Sequence, residues 1–188
     1  AKHFLERLNS DVSLTQYEKR DDDIDKPVAL LIIRRLLKNF YKHIEAMYQA
    51  EVHGRGTLKK IELEKIKIRN EYDVQRMLYA LIRPIFPLAR LEAVDDAEYR
   101  AIRYDIVLSE YDIVIEVKCT RETMTERKLT EELGADSFHY KAQHVFFFIF
   151  DRVKLIKNVD AFEKAFNRGE KDVGKSIETI VIQESIFH

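Results

Sequence analysis

Asp105, Glu116 and Lys118 are the residues whose types and spacing could do chemistry. Asp105 lies in Arg103-Tyr104-Asp105-Ile106-Val107-Leu108, and the other two lie in Ile113-Val114-Ile115-Glu116-Val117-Lys118. Both stretches alternate with a period of two, as half-buried strands do. Folded as a hairpin turning at Glu110 and Tyr111, they set Asp105 against Glu116, Val107 against Val114 and Arg103 against Lys118. All six then share the face opposite Ile102, Tyr104, Ile106 and Leu108. Glu110-Tyr111 is not the Asn-Gly kind of pair that two-residue turns favour, so a longer loop is expected; a symmetric lengthening keeps the pairing. Carboxylates directly opposed on neighbouring strands have Cβ atoms about 4.5–5.5 Å apart and repel each other. A hard divalent cation relieves that repulsion, and Mg²⁺ takes oxygen ligands at about 2.0–2.1 Å while keeping several waters. Such an ion would polarise a phosphoryl oxygen and lower the pKa of bound water. Lys118, on the same side as Glu116, could orient or deprotonate an attacking water or stabilise a pentacovalent phosphate. The spacing alone fits a salt-bridged, solvated strand face equally well.

Periodicity supplies the elements that must position these residues. Leu30, Ile33, Leu37, Phe40, Ile44 and Met47 are spaced alternately by three and four, which predicts a helix over 27–50 with one apolar stripe. That stripe is long enough to pack on its own domain and also fits a dimer seam. Asp25 is positioned to cap this helix, with Pro27 in its first turn. Gly54 and Gly56 mark a turn, and 58–69 reads either as a basic helix or as an extended segment. A second helix over 70–83 is stopped by Pro84 and Pro87. Strands follow at 88–94, 102–109 and 112–119, then a helix at 126–141, an unbroken apolar strand at 145–150, a helix near 158–168 and a strand near 177–183. This order predicts an α/β sandwich around a mixed sheet.

Composition bounds the rest. Hydrophobic residues make up 46% of the 188, enough for a real core, and the charged share of 35% predicts a heavily charged surface. With a net charge of −1 the chain is no polycation, so contact with nucleic acid would need a local basic surface. Arg55, Lys59, Lys60, Lys65, Lys67 and Arg69 against Glu62 and Glu64 offer one, although a solvated helix face is the simpler reading. The acidic cluster Asp21, Asp22, Asp23 and Asp25 lacks the Gly and Glu of a calcium loop, with Lys26 and Ile32 in their places. Cys119 is the single cysteine, which excludes an internal disulfide and a cysteine-rich zinc site and fits a cytoplasmic setting. The six histidines show no His-x-His or His-x₃-His pairing, so a zinc site finds no support. The longest apolar run is far short of a membrane span, and no membrane partner is expected. Ala1 in place of Met suits a trimmed chain or a piece of a longer protein.

The two strand motifs, together with the order helix, three strands, helix, strand from about residue 70 to 150, resemble the PD-(D/E)XK nuclease superfamily. Tyr104 stands where the Pro of that name would be. The resemblance implies a restriction-endonuclease-like core (αβββαβ, a mixed sheet flanked by helices) over 70–188, with 1–69 as an N-terminal helical extension serving dimerisation or linkage. It implies hydrolysis of DNA, more than RNA, with Mg²⁺ (Mn²⁺ as substitute) held by Asp105, Glu116 and the carbonyl of Val117. Glu71, on the first core helix, is the matching candidate for a further acid at the metal, although helix-start capping explains it equally. Arg103 and Arg121, with Lys65 and Lys67, are candidate nucleic-acid contacts, and Tyr140 is a candidate buttress. A homodimer, and a place in a prokaryotic restriction, defence or repair system of one or several subunits, follow as expectations. The alternative is a catalytically inactive member that binds nucleic acid or oligomerises.

Overall fold

The computed structural model describes residues 24–97, 100–169 and 174–183, without the side chains of 93–103, 138 and 139. Asp21, Asp22 and Asp23 lie outside the described residues, as does the side chain of Arg103. A five-stranded sheet runs in chain order, β1 (Arg90–Ala97), β2 (Arg100–Leu108), β3 (Ile113–Cys119), β4 (His144–Asp151) and β5 (Ser176–Gln183). β1, β2 and β3 form an antiparallel meander; β3, β4 and β5 are parallel. Among the described residues, helices α1 (Lys26–Lys38), α2 (Phe40–Ile44), α3 (Lys60–Leu63), α4 (Glu71–Ile82), α5 (Glu126–His139) and α6 (Val159–Phe166) accompany it. This is the expected mixed sheet between helices.

Two apolar clusters show why the sheet is sandwiched. On one face Ile33, Leu37 and Phe40 meet Val74, Leu78 and Ile82 over Ile113, Ile115, Val117, Phe146 and Phe148. On the other, Leu129, Leu133 and Phe162 cover Val114, Val145, Phe147 and Ile149. β4 is buried at every position, so its unbroken apolar run is needed on both faces.

Asp25 caps α1 by accepting from the Val28 amide at 2.9 Å. The helix breaks at Asn39 and ends in a π-helical turn, Glu45–Gln49, so the predicted continuous helix over 27–50 is three pieces. Its stripe packs into the chain's own core: Ile33, Leu37 and Phe40 have no solvent exposure. Arg34 grips Glu178 of β5 through two nitrogens, at 2.7 and 2.8 Å. The segment 58–69 holds only the short α3 and is otherwise irregular.

Candidate active site at the β2–β3 fork

β2 and β3 pair in the predicted register, Ile106 with Ile115, Val107 with Val114 and Leu108 with Ile113. The connection is the longer, symmetric one: a 3₁₀ turn, Ser109–Tyr111, then Asp112 at φ 54. The ladder stops one step before Asp105 and Glu116, where the Asp105 side chain takes the place of the next backbone acceptor. Its Oδ2 accepts from the Val117 amide at 2.8 Å. The β1–β2 ladder is interrupted at the same level, where Glu92 adopts φ 50 between the pairs Leu91–Ile106 and Ala93–Tyr104.

This break shifts the strand's phase. The alternation placed Tyr104 on the face of Ile106 and Leu108, whereas Tyr104 packs in the opposite cluster with Val107, Val114 and Tyr140. Period-two reasoning fails there because it assumes an uninterrupted pleat, and Asp105 interrupts it. Tyr104 and Tyr140 lie with ring centroids 5.3 Å apart, forming an aromatic floor beside Glu116.

The fork gathers the residues on which the sequence motif centres. Asp105 is buried enough that desolvation raises its carboxyl pKa; the Val117 hydrogen bond and the charge of Lys118 work against that rise, and the charges of Glu71 and Asp136 add to it. Glu116 is pushed up to about 7, first by burial and then by the charge of Asp105, so the two acids do feel one another. Lys118 donates to Glu116 Oε1 at 2.6 Å and lies 2.9 Å from Asp136 Oδ2. Burial works to lower the Lys118 pKa, but these two carboxylates outweigh it and hold the ammonium above its ordinary range. Tyr140 is raised by burial and by the neighbouring charge of Glu116. Its hydroxyl reaches the Glu116 carboxylate, yet Glu116 Oε2 remains buried without a well-formed hydrogen bond.

Glu71 occupies the first turn of α4 on the exposed side, and its charge reaches Asp105. The N-cap of that helix is Asn70, whose side chain accepts from Asp73, so capping is performed without Glu71. Among the described residues no group of three His, Cys, Asp or Glu side chains is arranged to hold an ion. Arg121 is exposed in the turn after β3, three residues beyond Lys118. Lys65 and Lys67 are exposed between α3 and α4. Lys67 lines a cavity of about 400 Å³ with Tyr41, Tyr48, Met77 and Phe150, which shares no lining residue with the fork.

Two residues of the fork went unread in the sequence. Gln75, buried on α4, donates to Asp105 Oδ1 at 3.1 Å and to its carbonyl at 3.3 Å. Asp136, on α5, faces Lys118. Both had a signal: each is a polar residue at an inward helical position, Gln75 next to Val74 and Leu78, Asp136 in line with Leu129, Leu133 and Tyr140.

A mixed five-stranded sheet flanked by helices, an antiparallel meander continued by parallel strands, is the arrangement of the restriction-endonuclease-like fold class. A family model of the DpnII-MboI restriction endonucleases matches residues 31–184, most of the chain, and the chain belongs to that family. It is therefore a DNA endonuclease of a restriction system, a hydrolase of phosphodiester bonds. No curated protein matches the chain, and no solved structure does. Among the described residues no helix is long and apolar enough to cross a membrane.

Proposed function

We propose that the β2–β3 fork is the catalytic centre of this DNA endonuclease, that it works with Mg²⁺, and that Asp105, Glu116 and Lys118 carry the reaction. The observation that carries the reading is the state of Glu116: a buried carboxylate beside a second one, with one oxygen left without a good donor. Buried polar atoms are almost always satisfied, and an orphan in a native fold calls for an explanation. A hard cation supplies one, since the donor set is all oxygen. Asp105, Glu116 and the Val117 carbonyl would hold the ion, with waters completing its shell and Glu71 placed to reach it through one of them. Mn²⁺, with the same preference for oxygen, would substitute. When bound, a divalent cation polarises a phosphoryl oxygen and lowers the pKa of nearby water.

The protein's own groups do the rest. Lys118, kept protonated by Glu116 and Asp136, acts as a cation that stabilises charge on the transferred phosphate. Tyr104 and Tyr140 wall the acids off from water on that face, which strengthens each electrostatic contact. Gln75 and the Val117 amide fix the Asp105 carboxylate in one orientation. Arg121, Arg103, Lys65 and Lys67 are proposed to meet the DNA backbone by charge. Scission of both strands calls for two such sites, so the working unit is proposed to be a homodimer. The buried Ile33, Leu37 and Phe40 are already spent on the core, and the contact must use other surface. Residues 26–44 share that core with the sheet, so this part of the N-terminal region is proposed to be joined to the nuclease body.

Supercoiled plasmid incubated with the purified protein tests this directly. Cleavage should require Mg²⁺ or Mn²⁺, and Asp105→Ala and Lys118→Ala should each reduce it by roughly 1000-fold, the several kcal/mol expected of a lost electrostatic contact at the phosphate. Unchanged cleavage in both variants, or cleavage undiminished by a chelator, would sink the assignment.

A further inference from the structure

Asp136 stands on α5 in a stripe with Leu129, Leu133 and Tyr140, all three of which are buried. Such a stripe is the one a helix turns toward the sheet, and an acid within it presents a charge to the interior. That is costly unless the charge is paired. Asp136 Oδ2 is itself buried and makes no well-formed hydrogen bond among the described residues. The Lys118 ammonium, 2.9 Å away, is the group that compensates it. Lys118 in turn is held between Asp136 on α5 and Glu116 on its own strand, at 2.6 Å from the latter.

The two anchors are not equivalent. Glu116 is an expected cation ligand through Oε2, and a carboxylate that gives its charge to a divalent ion on one oxygen binds an ammonium on the other less well. Asp136 has no such second duty. A lysine carries its compact charge on a flexible four-carbon stem, so with one anchor weakened its position depends on the other. We propose that Asp136 is a positioning residue, which holds the Lys118 ammonium at the scissile phosphate while Glu116 is engaged with the cation. This rests on the nuclease reading of the fork. The anchors approach from different elements, β3 and α5, so together they fix the ammonium in direction as well as distance.

The experiment compares the wild-type chain with Asp136→Asn and Asp136→Glu. Three readouts are needed: single-turnover plasmid cleavage at saturating Mg²⁺, binding of the same DNA in Ca²⁺, and thermal melting. Asp136→Asn should lower the single-turnover rate roughly 10- to 100-fold, the usual cost of losing a group that orients a reacting one. Its DNA affinity in Ca²⁺ and its half-saturating Mg²⁺ should stay within about twofold of wild type, because the loss falls on the rate and not on binding. Asp136→Glu, which keeps the charge on a longer arm, should recover part of the rate. Should Asp136→Asn fail to fold, the smaller Asp136→Ser repeats the test. A rate within about twofold of wild type overturns the proposal. So does a rate loss matched by weaker Mg²⁺ saturation or by a lowered melting temperature, which would assign Asp136 to metal binding or to folding. If the wild type itself does not cleave, the nuclease reading falls first and this proposal with it.

Discussion

Two carboxylates are buried on neighbouring parallel strands, Glu116 within β3 and Asp151 at the end of β4, and they are treated differently. Asp151, the last residue of β4, has no solvent exposure and four donors. Thr120 Oγ1 and the Leu155 amide meet Oδ1 at 2.7 and 2.8 Å; the Ile156 amide and Gln183 Nε2 meet Oδ2 at 2.9 and 3.0 Å. Those partners come from the end of β3, the turn after β4 and the end of β5, so one side chain ties three strand ends together. Glu116, on β3, has an ammonium on one oxygen and no well-formed hydrogen bond on the other, with the Tyr140 hydroxyl as its remaining neighbour. A buried acid whose oxygens are each bonded twice is part of the scaffold. One left partly open, beside another acid, retains capacity for a ligand. Both are buried carboxylates; the difference between them lies in what remains unsatisfied.

The sharpest way to break that contrast is to neutralise each acid in turn. Glu116→Gln should lower plasmid cleavage by roughly 1000-fold, because the amide is a poor ligand for a hard cation. Its melting temperature should hold or rise, since burial and Asp105 already push this carboxyl toward its neutral form. Asp151→Asn should do the reverse. An amide nitrogen turned toward two donors leaves them unpaired, at a cost of about 3 kcal/mol. That lowers the melting temperature by roughly 6–12 °C in a domain of this size. Cleavage per folded molecule should stay near wild type. Calorimetry beside the plasmid assay checks both, and equal losses of stability and activity in the two variants would erase the distinction.

Proton linkage gives a second, smaller effect. The Glu116 carboxyl stands at about 7 in the fold against an ordinary 4.5. Between those values the metal-free folded chain keeps a proton that the unfolded chain has lost, so this group's contribution to stability falls as pH rises through the window. A cation must displace the same proton. Below pH 7 the half-saturating concentration of Ca²⁺, read from its shift of the melting temperature, should therefore rise as pH falls, approaching about tenfold per unit. Above pH 7 it should level off, and Glu116→Gln should abolish the trend. A flat profile across this range would remove Glu116 from the ligand set.

Much of this was legible in the chain, and the failures have a common cause. The strand alternation gave the β2–β3 register because Ile106, Ile115, Leu108 and Ile113 must all reach one core. β4 was readable because a strand covered on both faces tolerates no polar interruption. Tyr104 was placed on the wrong face because the phase shift arises from a side-chain contact, Asp105 to the Val117 amide, that no periodicity encodes. Asp136 and Gln75 were missed because their partners lie 18 and 30 residues away, and only the assembled sheet shows them. The break in α1 at Asn39 is likewise invisible to a stripe that continues across it.

Gln75 offers the finest test, because Asp105 combines features of both buried acids. Like Asp151 it has a donor on each oxygen, the Val117 amide and Gln75; like Glu116 its neighbours include other carboxylates. If its donors serve to aim the carboxylate, removing one should loosen the cation and leave the chemical step alone. Gln75→Leu keeps the volume of this buried side chain and deletes its hydrogen bonds to Asp105, of which the one to Oδ1 bears on the carboxylate. One such bond is worth about 0.5–1.5 kcal/mol, so half-saturating Mg²⁺ should rise roughly 3- to 10-fold. The single-turnover rate at saturating Mg²⁺ should remain within about twofold, the opposite of what Asp136→Asn is expected to show. Were Gln75→Leu to lower that rate with metal affinity intact, Gln75 would belong with the groups that act on the phosphate. Asp105 would then be held in place by its backbone contact to Val117 alone.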